Sequence, residues 1–305
     1  MNFNSDEFLN PNFKLLSEEF SDFKKFVFIN KYGGYSINWK NPNALRELVK
    51  TLLNKYLNII YYEIPENYLI PTLTSRYNYL NYINKVFKKK KIDKEENKIL
   101  VDIGTGANII YPLLGYKIFN WKFIGSEIND EAINIGRKIL KENNLENDIL
   151  IIKQNNNKKI FENIINFKNK YFCSICNPPF FDINHEEKKD NLFTDNEYNY
   201  NEVYCEGGEI FFIKEMIKES YLFRNNIFLF STLIGRKNNM KKIYSVIKKL
   251  KDIKFLEKKT IQQGNNSRYI IIWSFYDDYI NFKKEINVEN NTLNNLIDNN
   301  YIEEF

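Results

Sequence analysis

No stretch of the 305 residues approaches the roughly 20 consecutive apolar positions that a membrane span requires. The first residues, Met1-Asn-Phe-Asn-Ser-Asp-Glu7, contain no basic region leading into an apolar run, so neither a signal peptide nor an anchor is expected. Cysteine is scarce as well. Three residues, an odd number in a large chain, form no disulfide framework, and a reducing, intracellular compartment is expected. The one histidine, His185, has no clustered ligand types around it, so no metal site and no histidine catalysis are expected. Charge of one sign is not in large excess: a net +5 permits nucleic-acid binding without demanding it. What the sequence does have is apolar material, 43% of residues, sufficient to bury a sizeable core. It also uses Asn and Lys heavily, as in Asn155-Asn-Asn157, and such tracts are given no function.

The first ninety or so residues mix aromatic and polar segments. They include Phe26-Val-Phe-Ile29, a turn at Gly33-Gly34, a helix predicted from Pro42 to about Tyr56, and an aromatic helix from about Thr74 to Phe87. An N-terminal accessory module over residues 1–91 is expected, with Lys88 to Lys91 as a surface linker. From Lys98 short apolar strands alternate with amphipathic helices, which predicts an α/β domain at 92–280 with a parallel sheet built from βαβ units. Strands are placed at about 99–103, 123–128, 148–153, 171–177, 226–233, 254–262 and 268–276, and helices near 130–143, 208–223 and 239–250. Residues 281–305 read as an Asn-rich tail, either a peripheral helix or disordered.

Ile99-Leu-Val-Asp-Ile-Gly-Thr-Gly106 is a buried strand running into a glycine-rich turn, where backbone N–H groups approach a ligand at the carboxyl edge of a parallel sheet. The third glycine of the dinucleotide spacing is missing, and so is the Lys-Ser or Lys-Thr pair of a P-loop. The next strand ends in Glu127, placed to accept both hydroxyls of a ribose. Each feature has a plainer alternative, a tight turn for the glycines and a helix cap for Glu127. Strand, Asp-x-Gly-x-Gly and ribose acid together resemble the S-adenosylmethionine-binding methyltransferases.

The apolar run Tyr171 to Cys176 ends in Asn177-Pro178-Pro179-Phe180, a polar residue followed by two rigid ones at the same sheet edge. The Asn177 amide oxygen and a neighbouring carbonyl can both accept from one planar NH2 group, and Phe180 and Phe181 offer aromatic faces. Cys173 and Cys176 are three residues apart on a strand, which points them to opposite faces and argues against a shared metal.

Asp102-Ile-Gly-Thr-Gly-Ala-Asn-Ile-Ile-Tyr-Pro-Leu-Leu-Gly115, Cys176-Asn-Pro-Pro-Phe-Phe181, Glu206-Gly-Gly-Glu209 and Trp273-Ser-Phe-Tyr-Asp-Asp278 resemble the spliceosomal-RNA adenine-N6 methyltransferases of the methyltransferase-like-protein-sixteen family and their bacterial ribosomal-RNA relative. The resemblance implies a Rossmann-like class I methyltransferase sheet, S-adenosylmethionine as cofactor, and structured RNA with an exposed adenosine as partner. No obligate protein partner is evident, and the nucleus is the compartment implied. Cofactor contacts would fall on Arg76, Asp102, Gly104, Thr105, Gly106, Asn108, Glu127 and Asn177, with Arg76, in Ile70-Pro-Thr-Leu-Thr-Ser-Arg-Tyr-Asn-Tyr79, meeting the methionine carboxylate. Asn177, Pro178, Pro179 and Phe180 would be catalytic. Phe180 and Phe181 would stack on the base, Gly207 and Gly208 would close over it as a mobile loop or simply start a helix, and Lys40, Arg236, Lys237 and Arg268 would face the RNA. Two departures stand out: Asp182 to Tyr204 is acidic and Asn-rich where the family is rich in Arg and Pro, and the larger members' C-terminal RNA-binding extension has no counterpart after Asp278, so RNA affinity is expected to rest on this domain. Alternative readings are a DNA-adenine or protein-glutamine methyltransferase, and an RNA-binding regulator with incidental catalysis.

Overall fold

The structure, a computed structural model, describes residues 3–182, 200–263 and 266–284. Helices α1 (Ser5–Leu9) and α2 (Phe13–Glu19) each begin where an asparagine side chain, Asn4 or Asn12, accepts the free N–H groups of the first turn. After α3 (Ser21–Lys24), strands β1 (Val27–Ile29) and β2 (Tyr35–Ile37) form the hairpin foreshadowed by Gly33-Gly34. Helix α4 (Pro42–Leu57) starts with Asn41 as cap and Pro42 at its first position, where a missing N–H costs nothing. Helix α5 (Leu73–Lys89) follows. It corrects the linker expectation: Lys88 and Lys89 belong to its last turn, where cations complement the helix dipole. Lys89 pairs with Glu257 at 2.5 Å, and Lys90 donates to the Asp277 carbonyl at 2.7 Å, so the run pins the helix to the far edge of the sheet.

The remaining elements are β3 (Ile99–Ile103), α6 (Ile110–Phe119), β4 (Lys122–Glu127), α7 (Asp130–Glu142), β5 (Ile149–Lys153), β6 (Tyr171–Cys176), β7 (Phe181–Asp182), α8 (Tyr200–Val203), β8 (Tyr204–Cys205), α9 (Gly208–Leu222), β9 (Ile227–Ile234), α10 (Lys237–Lys249), β10 (Phe255–Gln263), β11 (Asn266–Ser274) and α11 (Tyr279–Lys284). Seven strands pair in the order β10-β11-β9-β6-β3-β4-β5. The five from β9 to β5 are parallel, while β11 is antiparallel to both its neighbours. The sheet is thus mostly parallel, as expected, with an antiparallel edge where the connection between Gln263 and Asn266 is too short for a crossover and permits only a hairpin. Helix α6 was not anticipated, since Pro112 and Gly115 disguise it. Pro112 stands in the first turn, where its lost donor has no partner to lose, and a Cβ at position 115 would collide with the Phe123 ring, so the glycine lets helix and strand close up.

The sheet has a core on each face. On one, Leu53, Ile83 and Phe87 of the N-terminal helices share a cluster with Leu100, Leu229 and Ile270. On the other, Phe161, Ile213 and Trp273 pack with Val101 and Phe230. Cys173 lies in the first cluster and Cys176 in the second, as their spacing required. Trp273 is structural: it is fully buried, stacks on Phe230 and donates through Nε1 to Ser220 Oγ at 3.0 Å.

Candidate active site

Because β4 and β5 extend the sheet on one side of β3 and β6 and β9 on the other, the chain reverses direction of growth between β3 and β6. A crevice opens at such a switch point, outside the carboxyl ends of the strands. Here it is a cavity of about 600 Å³ that collects the glycine loop after β3, Glu127 at the end of β4 and Asn177-Pro178-Pro179 after β6.

The glycine loop is set by its backbone. Gly104 and Gly106 both have φ of +66°, a region in which a side chain is strained. Nothing lies within 4 Å of where a Cβ on Gly104 would stand, which leaves the loop open to a ligand. Below it, Asp102 is 1% exposed. Its Oδ2 accepts from Thr105 Oγ1 at 2.8 Å, and its Oδ1 has no partner. Burial pushes the Asp102 carboxyl up to about 7, against the Thr105 hydrogen bond and the charge of Arg76, which pull it down. Asn108 lines the cavity and turns its own Oδ1 onto the Ile110 N–H.

Glu127 is buried, and its two oxygens are divided between loops. Oε2 accepts from the Gly106 N–H at 3.0 Å, and Oε1 from the N–H groups of Ile128 and Asn129 at 2.8 and 3.0 Å. The helix cap itself is Asn129, which accepts from Ala132 N–H. Glu127 thus ties the glycine loop to the turn after β4 and presents a carboxylate to the cavity between them. Arg76, from α5, reaches the cavity with its guanidinium over the Tyr111 ring, 5.4 Å from the centroid.

Asn177 Oδ1 is buried and has no hydrogen-bond partner. It stands with Pro178 and Pro179 in the cavity wall, while Phe180 and Phe181 leave it. Phe180 donates its N–H to the Val203 carbonyl at 3.1 Å, lies against Gly235, and carries the Arg268 guanidinium over its ring at 5.6 Å. Phe181 pairs in β7 with Tyr204 of β8 and faces that tyrosine ring. Gly207 and Gly208, with φ of 72° and 63°, make the turn that starts α9, and the Gly207 N–H donates to Asp182 Oδ1 at 3.0 Å. Glu209 in that first turn is buried and takes the Gly235 N–H and, at 2.6 Å, the Asn239 amide. The helix-start reading of this glycine pair therefore describes its local structure.

Of the basic candidates, Arg268 sits beside Phe180, Arg236 and Lys237 begin α10, and Lys40 lies in an exposed turn before α4, outside the cavity. His185, most of Asp182 to Tyr204, and the tail beyond Lys284 lie outside the described residues. Three contributors were not anticipated. Tyr111 supports Arg76 from within the Tyr-Pro-Leu-Leu-Gly segment. Glu219 accepts the N–H groups of Ile160, Phe161 and Glu162 and so shapes the loop after β5, which lines the cavity. Glu202 enters the cavity from α8. Tyr111 lay in a segment quoted for the family resemblance, and Glu202 in the acidic segment 182–204 that departs from it.

A switch-point cavity with a glycine loop, a strand-end acid and an Asn-Pro-Pro wall defines a Rossmann-like methyltransferase. The model of a family described as RNA methyltransferase matches residues 7–277, and the chain belongs to that family. It is 37% identical over 277 residues to ribosomal RNA large subunit methyltransferase F of Christiangramia forsetii, covering 86% of this chain and 95% of the relative. It is 34% identical to the U6 small nuclear RNA (adenine-(43)-N(6))-methyltransferase of Dictyostelium discoideum over 91% of this chain, and spans 55% of that relative's length. Among solved structures, the human METTL16 catalytic domain in complex with a MAT2A 3′UTR hairpin superposes with a TM-score of 0.76 at 29% identity, covering 91% of this chain and 97% of that one. Among the described residues, no helix is long and apolar enough to cross a membrane.

Proposed function

We propose that the protein transfers a methyl group from S-adenosylmethionine to the N6 amine of an unpaired or extruded adenosine in structured RNA. The observation that carries this reading is Asn177 Oδ1, a buried acceptor without a partner in the wall of the cavity that also holds the glycine loop. Leaving such a group unpaired costs about 1–3 kcal/mol, a cost offset when a ligand brings the matching donor. An adenine amine is such a donor.

The residues fit the methyl donor. The open glycine loop admits backbone contact, Glu127 offers oxygens to ribose hydroxyls, Arg76 offers a forked cation to a carboxylate, and the unpaired Asp102 Oδ1 stands beneath the loop. When bound, S-adenosylmethionine supplies a methyl group made electrophilic by its sulfonium charge. Asn177 Oδ1 and the Pro178 carbonyl would accept the two amine hydrogens, which draws density onto the nitrogen and aims its lone pair into the cavity. No strong base is needed, because the amine is activated by this polarisation and by rehybridisation toward the tetrahedral form. Pro178 and Pro179 hold the acceptors still.

Phe180 would stack on the extruded base, an interaction of about 1–3 kcal/mol, with Arg268 at its face, and the glycine turn at 207–208 would border it. Arg236, Lys237 and Lys40 are proposed phosphate contacts, the last within an RNA-facing N-terminal module. The relatives named for U6 small nuclear RNA and for ribosomal RNA support an RNA substrate but differ in which one. A nuclear small RNA would place the protein in the nucleus. Incubation with labelled S-adenosylmethionine and matched RNA, DNA and protein pools tests the reading, followed by mapping of N6-methyladenosine in RNA from cells with and without the protein. Label entering only DNA or protein would sink it.

A further inference from the structure

Glu202 is a carboxylate that methyl transfer, as described above, leaves without a task. It belongs to α8, next to Val203, whose carbonyl is taken by the Phe180 N–H. Its side chain enters the cavity instead of solvent. There Oε2 accepts the Leu69 N–H at 2.8 Å, across 133 residues of sequence, and the Ala107 N–H of the glycine loop also donates to the carboxyl. Oε1 lies 3.1 Å from where a Cβ on Gly106 would stand, so the carboxyl rests against the loop on which a ligand would lie.

The surroundings of this carboxyl are short of positive charge. Among the described residues no lysine or arginine forms an ion pair with it, and Glu127, across the loop, adds a like charge. Burial, with that like charge, raises the Glu202 carboxyl to about 7, while the two N–H donors pull it down. Tyr62 donates its hydroxyl to the Asn108 carbonyl at 3.3 Å, close to this end of the glycine loop.

We propose that Glu202 is the partner of the α-ammonium group of the methyl donor, with Arg76 taking the carboxylate of the same amino-acid end. The inference rests on the S-adenosylmethionine reading above. An amino-acid end carries its cation and its anion on one carbon, so a receptor for it needs an acid and a base set close together in one cavity. Arg76 and Glu202 both line this one. The two N–H donors hold the carboxylate in place yet leave lone pairs on its oxygens for a third donor. A largely desolvated carboxylate without a cation is costly even when half-buried, and an arriving ammonium offsets that cost. Two buried acids near the glycine loop are less well placed: Asp102 backs onto Thr105 and does not line the cavity, and Glu127 is committed to three N–H groups at the end of β4.

Titration calorimetry on the full chain decides the matter, with S-adenosylhomocysteine and its analogue lacking the amino group as ligands. Glu202→Gln is expected to weaken S-adenosylhomocysteine by about 10- to 100-fold and to leave the deamino analogue unchanged. Near pH 6.5, in buffers of different ionisation enthalpy, the wild type releases more protons on binding S-adenosylhomocysteine than the variant does, since an arriving ammonium drives Glu202 to its ionised form while Asp102 is common to both. Equal weakening of both ligands would reduce Glu202 to a structural clamp and overturn the proposal. Tighter binding by the variant would overturn it too, by showing that the carboxylate competes with the ligand. Failure of the wild type to bind S-adenosylhomocysteine at all would instead refute the cofactor reading, and this inference with it.

Discussion

Replacing Asn177 by Ala separates what the side chain does for the fold from what it does for the reaction. In the free protein Asn177 Oδ1 is buried and unpaired, so truncation removes a desolvation penalty of about 1–3 kcal/mol. It also removes contacts of a small side chain at the cavity wall, worth about 1 kcal/mol because the cavity is already there to receive the loss. The two terms nearly cancel or leave a small gain. At roughly 2–4 °C per kcal/mol for a domain of this size, the melting temperature should hold or rise by a few degrees. The reaction loses far more, because a preorganised acceptor aimed at a developing charge is worth about 10²- to 10³-fold in kcat. Asn177→Asp, which keeps an acceptor at the same place, should retain more activity than Asn177→Ala. Differential scanning calorimetry beside single-turnover methylation of an RNA hairpin carrying a loop adenosine measures both quantities. Turnover within tenfold of wild type would refute the acceptor role, and a fall in melting temperature of several degrees would refute the claim that Oδ1 is unpaired in the free protein.

Three further expectations concern the same cavity. Glu127→Ala removes the carboxylate that receives the Gly106, Ile128 and Asn129 N–H groups, and should weaken S-adenosylhomocysteine binding by about 10-fold or more in calorimetry; an unaltered dissociation constant would exclude it from the ribose site. Asp102 carries a carboxyl raised from 3.8 to about 7 by burial, so its contribution is fully present below pH 3.8 and is lost as pH rises to about 7, a change of order 4 kcal/mol. Asp102→Asn should flatten the decline of melting temperature across that window, and an unchanged pH profile would contradict the assignment. Glu219→Ala leaves the N–H groups of Ile160, Phe161 and Glu162 without their acceptor, and should destabilise the protein by about 3 kcal/mol in urea unfolding; a loss under 1 kcal/mol would show that water reaches them.

What the sequence made legible is what is local in it. The strands of the sheet lie within about two residues of their expected places, because apolar runs bounded by polar ones report burial directly. The glycine loop, Glu127 and Asn177 were equally plain, each a residue type fixed by its place at a strand end. Arg76 drew attention through family resemblance, and its seat over Tyr111 depends on α5 and α6 packing side by side, which no short-range pattern encodes. Glu202 was hidden for the same reason, since its partner Leu69 lies 133 residues away. The antiparallel edge could have been foreseen from the few residues between the strands expected at 254–262 and 268–276, a length too short for any crossover. Arg268 was named as an RNA contact, but its position over Phe180 required the pairing of β11 with β9.

That position bears on how a base could be received. Asn177, Pro178 and Pro179 line the cavity whereas Phe180 does not, so the tetrapeptide is a partition between the cavity and an aromatic side. Methyl transfer needs only that a nitrogen meet a methyl group at the partition, so the bulk of donor and acceptor can stay apart. On the aromatic side, Phe180 is closed in by Gly235, where a Cβ would come within 3.0 Å of the ring, and a guanidinium occupies its face. A purine stacking on Phe180 must therefore displace Arg268 or sandwich with it. Arg268 loses little by moving, because a ring face holds a guanidinium by about 0.5–2 kcal/mol and a phosphate holds it by a charge-assisted pair. RNA supplies the phosphate together with the base, so the same ligand that needs the ring uncovered provides the group that uncovers it.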